Sequence, residues 1–286
     1  MTLRSTILRI ATQEDVNFLL TNRIPRRLAT RFMGWWSRLE QPLVRDASIA
    51  LWRFFCHVDL SDAREARFRS LHAAFVRELR DGARPFDPDP SVLASPCDAI
   101  VGACGPIRGT EAFQVKGLPY RLDELLGDAA EAERYRDGTF VTLRLTASMY
   151  HRFHAPADAQ VERLAYISGD TWNVNPIALG RVERLFCRNE RAAIRLRLAG
   201  GGELTLVTVA AILVAGLRFR FTPPGFDLRA GGSRTVALDV PVRRGQELGW
   251  FEHGSTIIVL APRGAGIRAV TTGTEIRAGE ALLSRP

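Results

Sequence analysis

Three prolines within six residues, Pro85, Pro88 and Pro90, divide this chain into two unlike parts. Proline lacks the backbone N–H and disfavours a helical conformation in the residue before it, so no helix can run through this segment. Upstream, apolar residues recur at helical spacing. Thr12-Gln13-Glu14-Asp15 resembles a capping box opening a helix that runs to residue 20. Pro25 fits the first turn of a second helix, which carries Leu28, Phe32, Trp35 and Trp36 among Arg26, Arg27, Arg31 and Arg38. A third helix is expected over 43–57, and a fourth over 63–79 with Phe68, Leu71, Phe75 and Leu79. Downstream the signals are mostly strands: 99–101, 140–145, 163–167, 193–198, 204–213, 217–221, 236–240 and 256–260. The runs 140–145 and 194–198 alternate apolar with polar, the mark of half-buried strands. Gly200-Gly201-Gly202 makes a hairpin-type turn, and a short helix is expected at 122–126. The expected fold is α+β: an N-terminal helical layer (1–83) followed by a mainly antiparallel β body (84–286).

Charge and apolar runs narrow the function. The longest uncharged apolar run, 204–217, is shorter than the roughly 18 residues of a spanning helix and reads as buried strands. No apolar segment of the secretory type follows the opening basic residues, so no signal peptide is expected. The net charge of +8 comes almost wholly from arginine, Lys116 being the single lysine. A basic surface suits phosphates of nucleic acid or of anionic lipid headgroups. Because no nucleic-acid recognition motif is present, charge alone would carry that first reading, and no nucleic-acid partner is expected. The arginine-flanked tryptophans of the second helix suit a helix lying in a membrane interface. They suit equally a helix packed on the protein's own core, and the sequence leaves both open. Cys56, Cys97, Cys104 and Cys187 lack metal-ligand spacing, so reduced thiols and no metal are expected.

Two places could carry chemistry. In His253-Gly254-Ser255-Thr256 a polar turn leads into the β-branched run Ile257 to Leu260. Glycine lets another group approach its carbonyl closely, and a serine just after it can attack that carbonyl in an N-to-O acyl shift. The same pair also reads as an ordinary turn before a buried strand. Asp98, in Ser95-Pro96-Cys97-Asp98, and His151 and His154, in Tyr150-His151-Arg152-Phe153-His154, could join Ser255 in an Asp-His-Ser relay, which geometry and not sequence order defines. Read otherwise, Asp98 is a turn residue and the histidines are bonded to backbone. A pyridoxal enzyme would need a Schiff-base lysine, and only Lys116 could serve.

The motifs, taken in order, resemble those of the membrane-associated, pyruvoyl-dependent phosphatidylserine decarboxylases. The segment 75–87 is similar to the family's N-terminal signature, and Ser95-Pro96-Cys97-Asp98 to its Pro-Ala-Asp-Gly turn. The strand at 140–145, the histidine motif, Gly169-Asp170 with Val174-Asn175-Pro176, Asn189-Glu190-Arg191, 245–249 and Gly254-Ser255-Thr256 follow in the family's order. The resemblance implies self-cleavage between Gly254 and Ser255 into a β chain (1–254) and an α chain (255–286). Ser255 would then become a covalent pyruvoyl group, the sole cofactor, which forms a Schiff base with the substrate amine. His154 oriented by Asp98 would be the base for cleavage and His151 the acid that reprotonates the product, although the two could exchange roles. Gly169, Asp170, Val174 and Asn175 would border the substrate.

The resemblance also implies phosphatidylserine as substrate, phosphatidylethanolamine and carbon dioxide as products, and a peripheral place on the cytoplasmic side of the cell membrane; a homodimer stays open. Other readings are a related pyruvoyl decarboxylase acting on another serine lipid or a soluble amino acid, and an uncleaved, non-catalytic lipid-binding protein. Three small residues depart from the family's pattern: Cys97 and Ala99 in the turn, and Ala210 in Val209-Ala210-Ala211, where the family tends to carry glycine.

Overall fold

The computed structural model describes residues 13–115, 118–212, 216–223, 226–228, 230, 232–252, 255–268 and 270–285. Thr12, Lys116, His253 and Gly254 therefore lie outside the described residues. Helices α1 (Glu14–Asn22), α2 (Arg26–Trp36), α3 (Pro42–Cys56) and α4 (Leu71–Phe75) come first, followed by strands β1 (Val92–Ala94), β2 (Ala99–Pro106), β3 (Glu111–Val115) and β4 (Leu118–Arg121). Helices α5 (Leu122–Leu126) and α6 (Ala129–Glu133) precede β5 (Thr139–Leu145), β6 (Arg152–His154) and β7 (Ala159–Ile167). After α7 (Pro176–Arg181) and α8 (Leu185–Arg188) the elements among the described residues are strands: β8 (Arg191–Leu198), β9 (Glu203–Ala210), β10 (Leu217–Phe219), β11 (Arg234–Val242), β12 (Glu247–Phe251), β13 (Ser255–Ala261), β14 (Glu275–Ile276) and β15 (Ala281–Ser284). This is the expected α+β arrangement.

Eight strands form one antiparallel sheet in the order β11-β7-β8-β9-β13-β5-β2-β14. Both of its faces are covered. One packs against Phe153 of β6, Leu217 of β10, Leu248 and Phe251 of β12, and Leu93 and Leu283 of the β1–β15 pair. The other packs against Leu125, Leu179, Leu185 and Phe186 from the short helices and Tyr120 of β4. Alternate residues of β13 serve the two cores: Ile257 and Val259 on one face, Ile258 and Leu260 on the other. A strand buried on both faces needs a continuous apolar run, and Ile257 to Leu260 supply it. For the same reason β5 and β8 are more buried than their alternating sequences suggested, with polar positions such as Thr142 enclosed.

The helical part differs from expectation at its end. The fourth helix shrinks to α4, capped by the Ser70 hydroxyl, which accepts from the Ala73 N–H at 3.1 Å. The remainder of 63–79 closes on itself: Ala63 pairs with Leu79, and the Arg64 N–H donates to the Glu78 carbonyl at 2.8 Å. A long-range bridge thus replaces the helical turns that spacing alone favoured. At the other end, Gln13 caps α1 through its side chain. On α2, Leu28, Phe32 and Trp35 are 64%, 57% and 59% exposed, while Trp36 turns inward and donates to the Ser48 hydroxyl at 3.1 Å. The outer apolar stripe therefore does not pack on the protein's own core. No helix among the described residues is long and apolar enough to cross a membrane.

Candidate active site

Ser255 opens β13 and sits between two partners, Leu145 of β5 and Ala210 of β9. It is 1% exposed, and its Oγ has no hydrogen-bond partner among the described residues. Buried hydroxyls are normally paired, so an orphan one is a candidate for a chemical role; the Thr256 hydroxyl shares the condition. Ser255 lines a cavity of about 600 Å³. Helices α2 and α3 roof it with Trp36, Leu51, Trp52 and Phe55, Phe75 of α4 flanks it, and the sheet end contributes Arg144, Leu145, Thr146 and Ala147. The Trp52 indole N–H donates to the Ala147 carbonyl at 3.1 Å, which ties roof to floor.

The loop leading into α7 supplies another wall through Asn173, Val174 and Asn175. Asn189 holds this loop. Its side chain accepts from the Trp172 N–H and donates to the carbonyls of Trp172 and Ala210, each at 2.8 Å. Ala210 is the register partner of Ser255, so the loop and the serine share one support. Of the four residues expected to border substrate, Val174 and Asn175 reach the cavity, whereas Gly169 and Asp170 stand behind it. Asn175 spends its amide on structure: Oδ1 accepts from the Ala178 N–H at 2.8 Å to cap α7, and Nδ2 donates to Asn17 at 2.7 Å. Asp170 accepts from Arg26 at 2.6 Å, and that guanidinium lies over the Trp172 ring at 3.9 Å. Gly169 lies so near Asn189 that an added Cβ would stand 2.5 Å from its carbonyl carbon.

Asp98 and Ser255 lie at one end of the sheet on opposite sides of β5. Ser255 pairs with Leu145, and the β2 register sets Ile100 against Arg144, which places Asp98 level with the end of β5. Two strand spacings put their backbones roughly 10 Å apart, a gap one histidine side chain could bridge. His154 is anchored beside this gap, its N–H donating at 2.8 Å to the carbonyl of Pro96, two residues before Asp98. Its ring points elsewhere. Nδ1 is 2.9 Å from the Gly245 carbonyl and Nε2 is 3.1 Å from the Tyr150 hydroxyl. A carbonyl only accepts, so Nδ1 carries the proton and Nε2 accepts from Tyr150. Burial pushes His154 below the ordinary histidine range, against the Gly245 bond and the Glu247 and Asp98 carboxylates.

In this conformation Asp98 is held by other partners. The Asp98 carboxylate accepts a forked pair from Arg84, at 2.8 Å to Nε and 2.6 Å to Nη2, and a third bond from the Ala278 N–H at 2.9 Å. The planar guanidinium fork matches a carboxylate better than one ring N–H can. No hydrogen bond among the described residues joins Asp98, His154 and Ser255 in this conformation. His151 is wholly buried, with Nδ1 donating to the Met149 carbonyl at 2.9 Å and its ring 4.0 Å from that of Phe75. Its own carbonyl accepts from the Phe251 N–H at 3.0 Å, so the histidine strand lies along the segment leading to Ser255.

Sequence reasoning gave no role to Arg84, which stands beside the proline break and within the signature-like segment 75–87, or to Arg144, a polar position of an alternating strand. For Arg84 no local signal exists, because its carboxylate partner is set by the fold.

A family model described as phosphatidylserine decarboxylase matches residues 71–284. The chain is 36% identical over 253 residues to a phosphatidylserine decarboxylase proenzyme of Photobacterium profundum, covering 84% of this chain and 85% of the relative. It is 34% identical over 276 residues to one of Erwinia tasmaniensis, covering 92% of each chain. To one of Xylella fastidiosa (strain M23) it is 33% identical over 282 residues, covering 94% of this chain and 95% of the relative. A match of this extent, over a buried serine at the mouth of an apolar cavity, places the chain in the phosphatidylserine decarboxylase family.

Proposed function

We propose that the protein is a self-processing, pyruvoyl-dependent decarboxylase that converts phosphatidylserine to phosphatidylethanolamine and carbon dioxide. The observation that carries this is the buried Ser255 hydroxyl, unpartnered among the described residues and facing a cavity roofed by aromatic side chains. In the precursor, Ser255 Oγ attacks the Gly254 carbonyl carbon, the peptide C–N bond breaks, and an ester replaces it. Loss of the Ser255 α-proton then expels the new carboxylate of residue 254, and hydrolysis of the resulting dehydroalanine releases ammonia and leaves a pyruvoyl terminus. The site fits such a group, because residue 255 is enclosed and no hydrogen bond among the described residues claims its side chain. The pyruvoyl group supplies a carbonyl that takes up the substrate amine and the electrons released with carbon dioxide.

His154 and Asp98 serve the cleavage step. His154 offers Nε2 as the acceptor of the Tyr150 hydroxyl bond, the role a general base requires, and reaching Ser255 takes a turn of the ring away from Tyr150 and Gly245. Arg84 holds the Asp98 charge at the edge of the gap. His151, its ring tilted by 35° against that of the cavity-lining Phe75, is our candidate to return a proton to the substrate carbon. Val174 and Asn175 border the substrate, with Gly169 and Asp170 supporting their loop. Residues 1–83 form the membrane-associating cover and 84–286 the catalytic body; the exposed Leu28, Phe32 and Trp35 seat the protein peripherally on the cytoplasmic side of the cell membrane. An apolar roof over the reacting residue favours a lipid over a soluble amino acid.

Intact mass tests the reading. The purified protein is expected as two chains, 1–254 and 255–286, the second carrying a pyruvoyl terminus, and Ser255→Ala as one uncut, inactive chain. A Ser255→Ala protein that still yields both fragments removes Ser255 as nucleophile. Normal processing in both His154→Ala and Asp98→Asn removes the relay.

A further inference from the structure

Among the described residues lining the Ser255 cavity, Arg144 is the single charged one. It is half-buried on β5, between Thr256 of β13 and Ile100 of β2, neither of which can neutralise it. No hydrogen bond, ion pair or ring contact engages its guanidinium among the described residues. Other enclosed guanidinia in this arginine-rich chain are matched, as Arg84 is with Asp98 and Asp62, Arg152 with Glu247 and Arg191 with four backbone carbonyls; Arg77 is an exception, with one long bond to the Asp59 carbonyl, but it lies outside the cavity. A cation drawn into an apolar enclosure without a counter-charge loses hydration and gains nothing, so its presence points to an anion that arrives with a ligand. Burial lowers the proton affinity of Arg144 and no neighbouring carboxylate offsets it.

We propose that Arg144 binds the phosphodiester of the serine phospholipid headgroup and makes the cavity select phosphate-bearing substrates over free amino acids. The assignment rests on the reading of Ser255 as the reacting centre. Ser255 and Arg144 stand one residue out of register across the β13–β5 ladder, roughly 6 Å apart at the backbone; their side chains leave opposite faces of the sheet, and both line the cavity at its end. In the substrate the amine that meets residue 255 is joined to the phosphate by the short serine link, so both groups fit within the reach of one arginine. The leaving carboxylate is the wrong partner. Its charge disappears in the transition state, and a guanidinium clamped on it would stabilise the ground state and slow the reaction. The phosphodiester keeps its charge throughout, and its planar-fork contacts are those arginine makes best.

The test uses processed enzyme, verified by mass, and measures carbon dioxide release from phosphatidylserine in neutral phosphatidylcholine vesicles. Arg144→Met is expected to raise KM roughly 10- to 100-fold, the loss of one or two charged hydrogen bonds. It is expected to leave kcat within about threefold, because the lost contact is equal in ground and transition states. The wild type is expected to prefer glycerophosphoserine over O-methylserine, and the variant to lose that preference. Arg144→Lys keeps the charge and loses the fork, so its KM is expected between the two. An unchanged KM in either variant, or a fall in kcat at unchanged KM, overturns the assignment; should Arg144→Met fail to process, the lysine variant decides alone. A wild type that is uncut, or releases no carbon dioxide from any of these substrates, overturns the reading of Ser255 and the Arg144 assignment with it.

Discussion

Removing Arg84 should destabilise the protein through the carboxylate it leaves behind. The side chains of Arg84 and Asp98 are 12% and 10% exposed, so neither is rescued by water. With Arg84→Met, Asp98 keeps only the bond from the Ala278 N–H, while Asp62, at 27% exposed, can turn to solvent. Breaking one side of an enclosed pair costs about 3–5 kcal/mol, because the remaining charge is uncompensated. The double variant Arg84→Met/Asp98→Asn removes both charges and should be more stable than Arg84→Met alone by a measurable part of that cost. Urea unfolding of the wild type, Arg84→Met, Asp98→Asn and the double variant at about pH 7 measures the cost and the coupling. If Arg84→Met unfolds at the wild-type midpoint, or the double variant is the sum of its single changes, the pair does not hold this end of the sheet.

Three further outcomes are expected from the structure. His154 is held below the unfolded value of 6.5 by burial, so the unfolded chain binds the extra proton and stability should fall as pH drops from about 6.5 through the lowered folded value; His154→Gln should show a shallower fall in melting temperature over the same range. Gly169→Ala would force a methyl group against the Asn189 backbone and should cost roughly 1–3 kcal/mol, read by thermal unfolding; a wild-type melting temperature would mean the loop yields freely. Leu28, Phe32 and Trp35 each expose more than half of their surface, and replacing all three by serine should weaken partition onto vesicles on the order of 100-fold while leaving the melting temperature near wild type. Vesicle binding unchanged by the triple substitution would take this stripe out of membrane contact.

Much of the architecture is legible in the chain itself, and the reasons are local. Proline geometry breaks the helical part at 85–90, glycine supplies the positive φ angles at 200, 201 and 202, and the apolar run after Ser255 can only be a strand enclosed on both faces. The order of weak motifs likewise marks the family. What the sequence could not decide is which side chains meet. Asp98 is engaged by Arg84 because the break at 84–90 folds back over the turn before β2, and nothing in either segment names the other. The run 63–79 carries helical spacing yet closes by an Ala63–Leu79 bridge, since a long-range pairing outweighs intrinsic propensity. Arg144 reads as an outward residue in an alternating strand, and only the assembled sheet shows that it lines the cavity. Local periodicity is written in consecutive residues and survives reading one segment at a time. The environment of a charge depends on strand register and on which helices roof it, and those are settled only when the whole chain has packed.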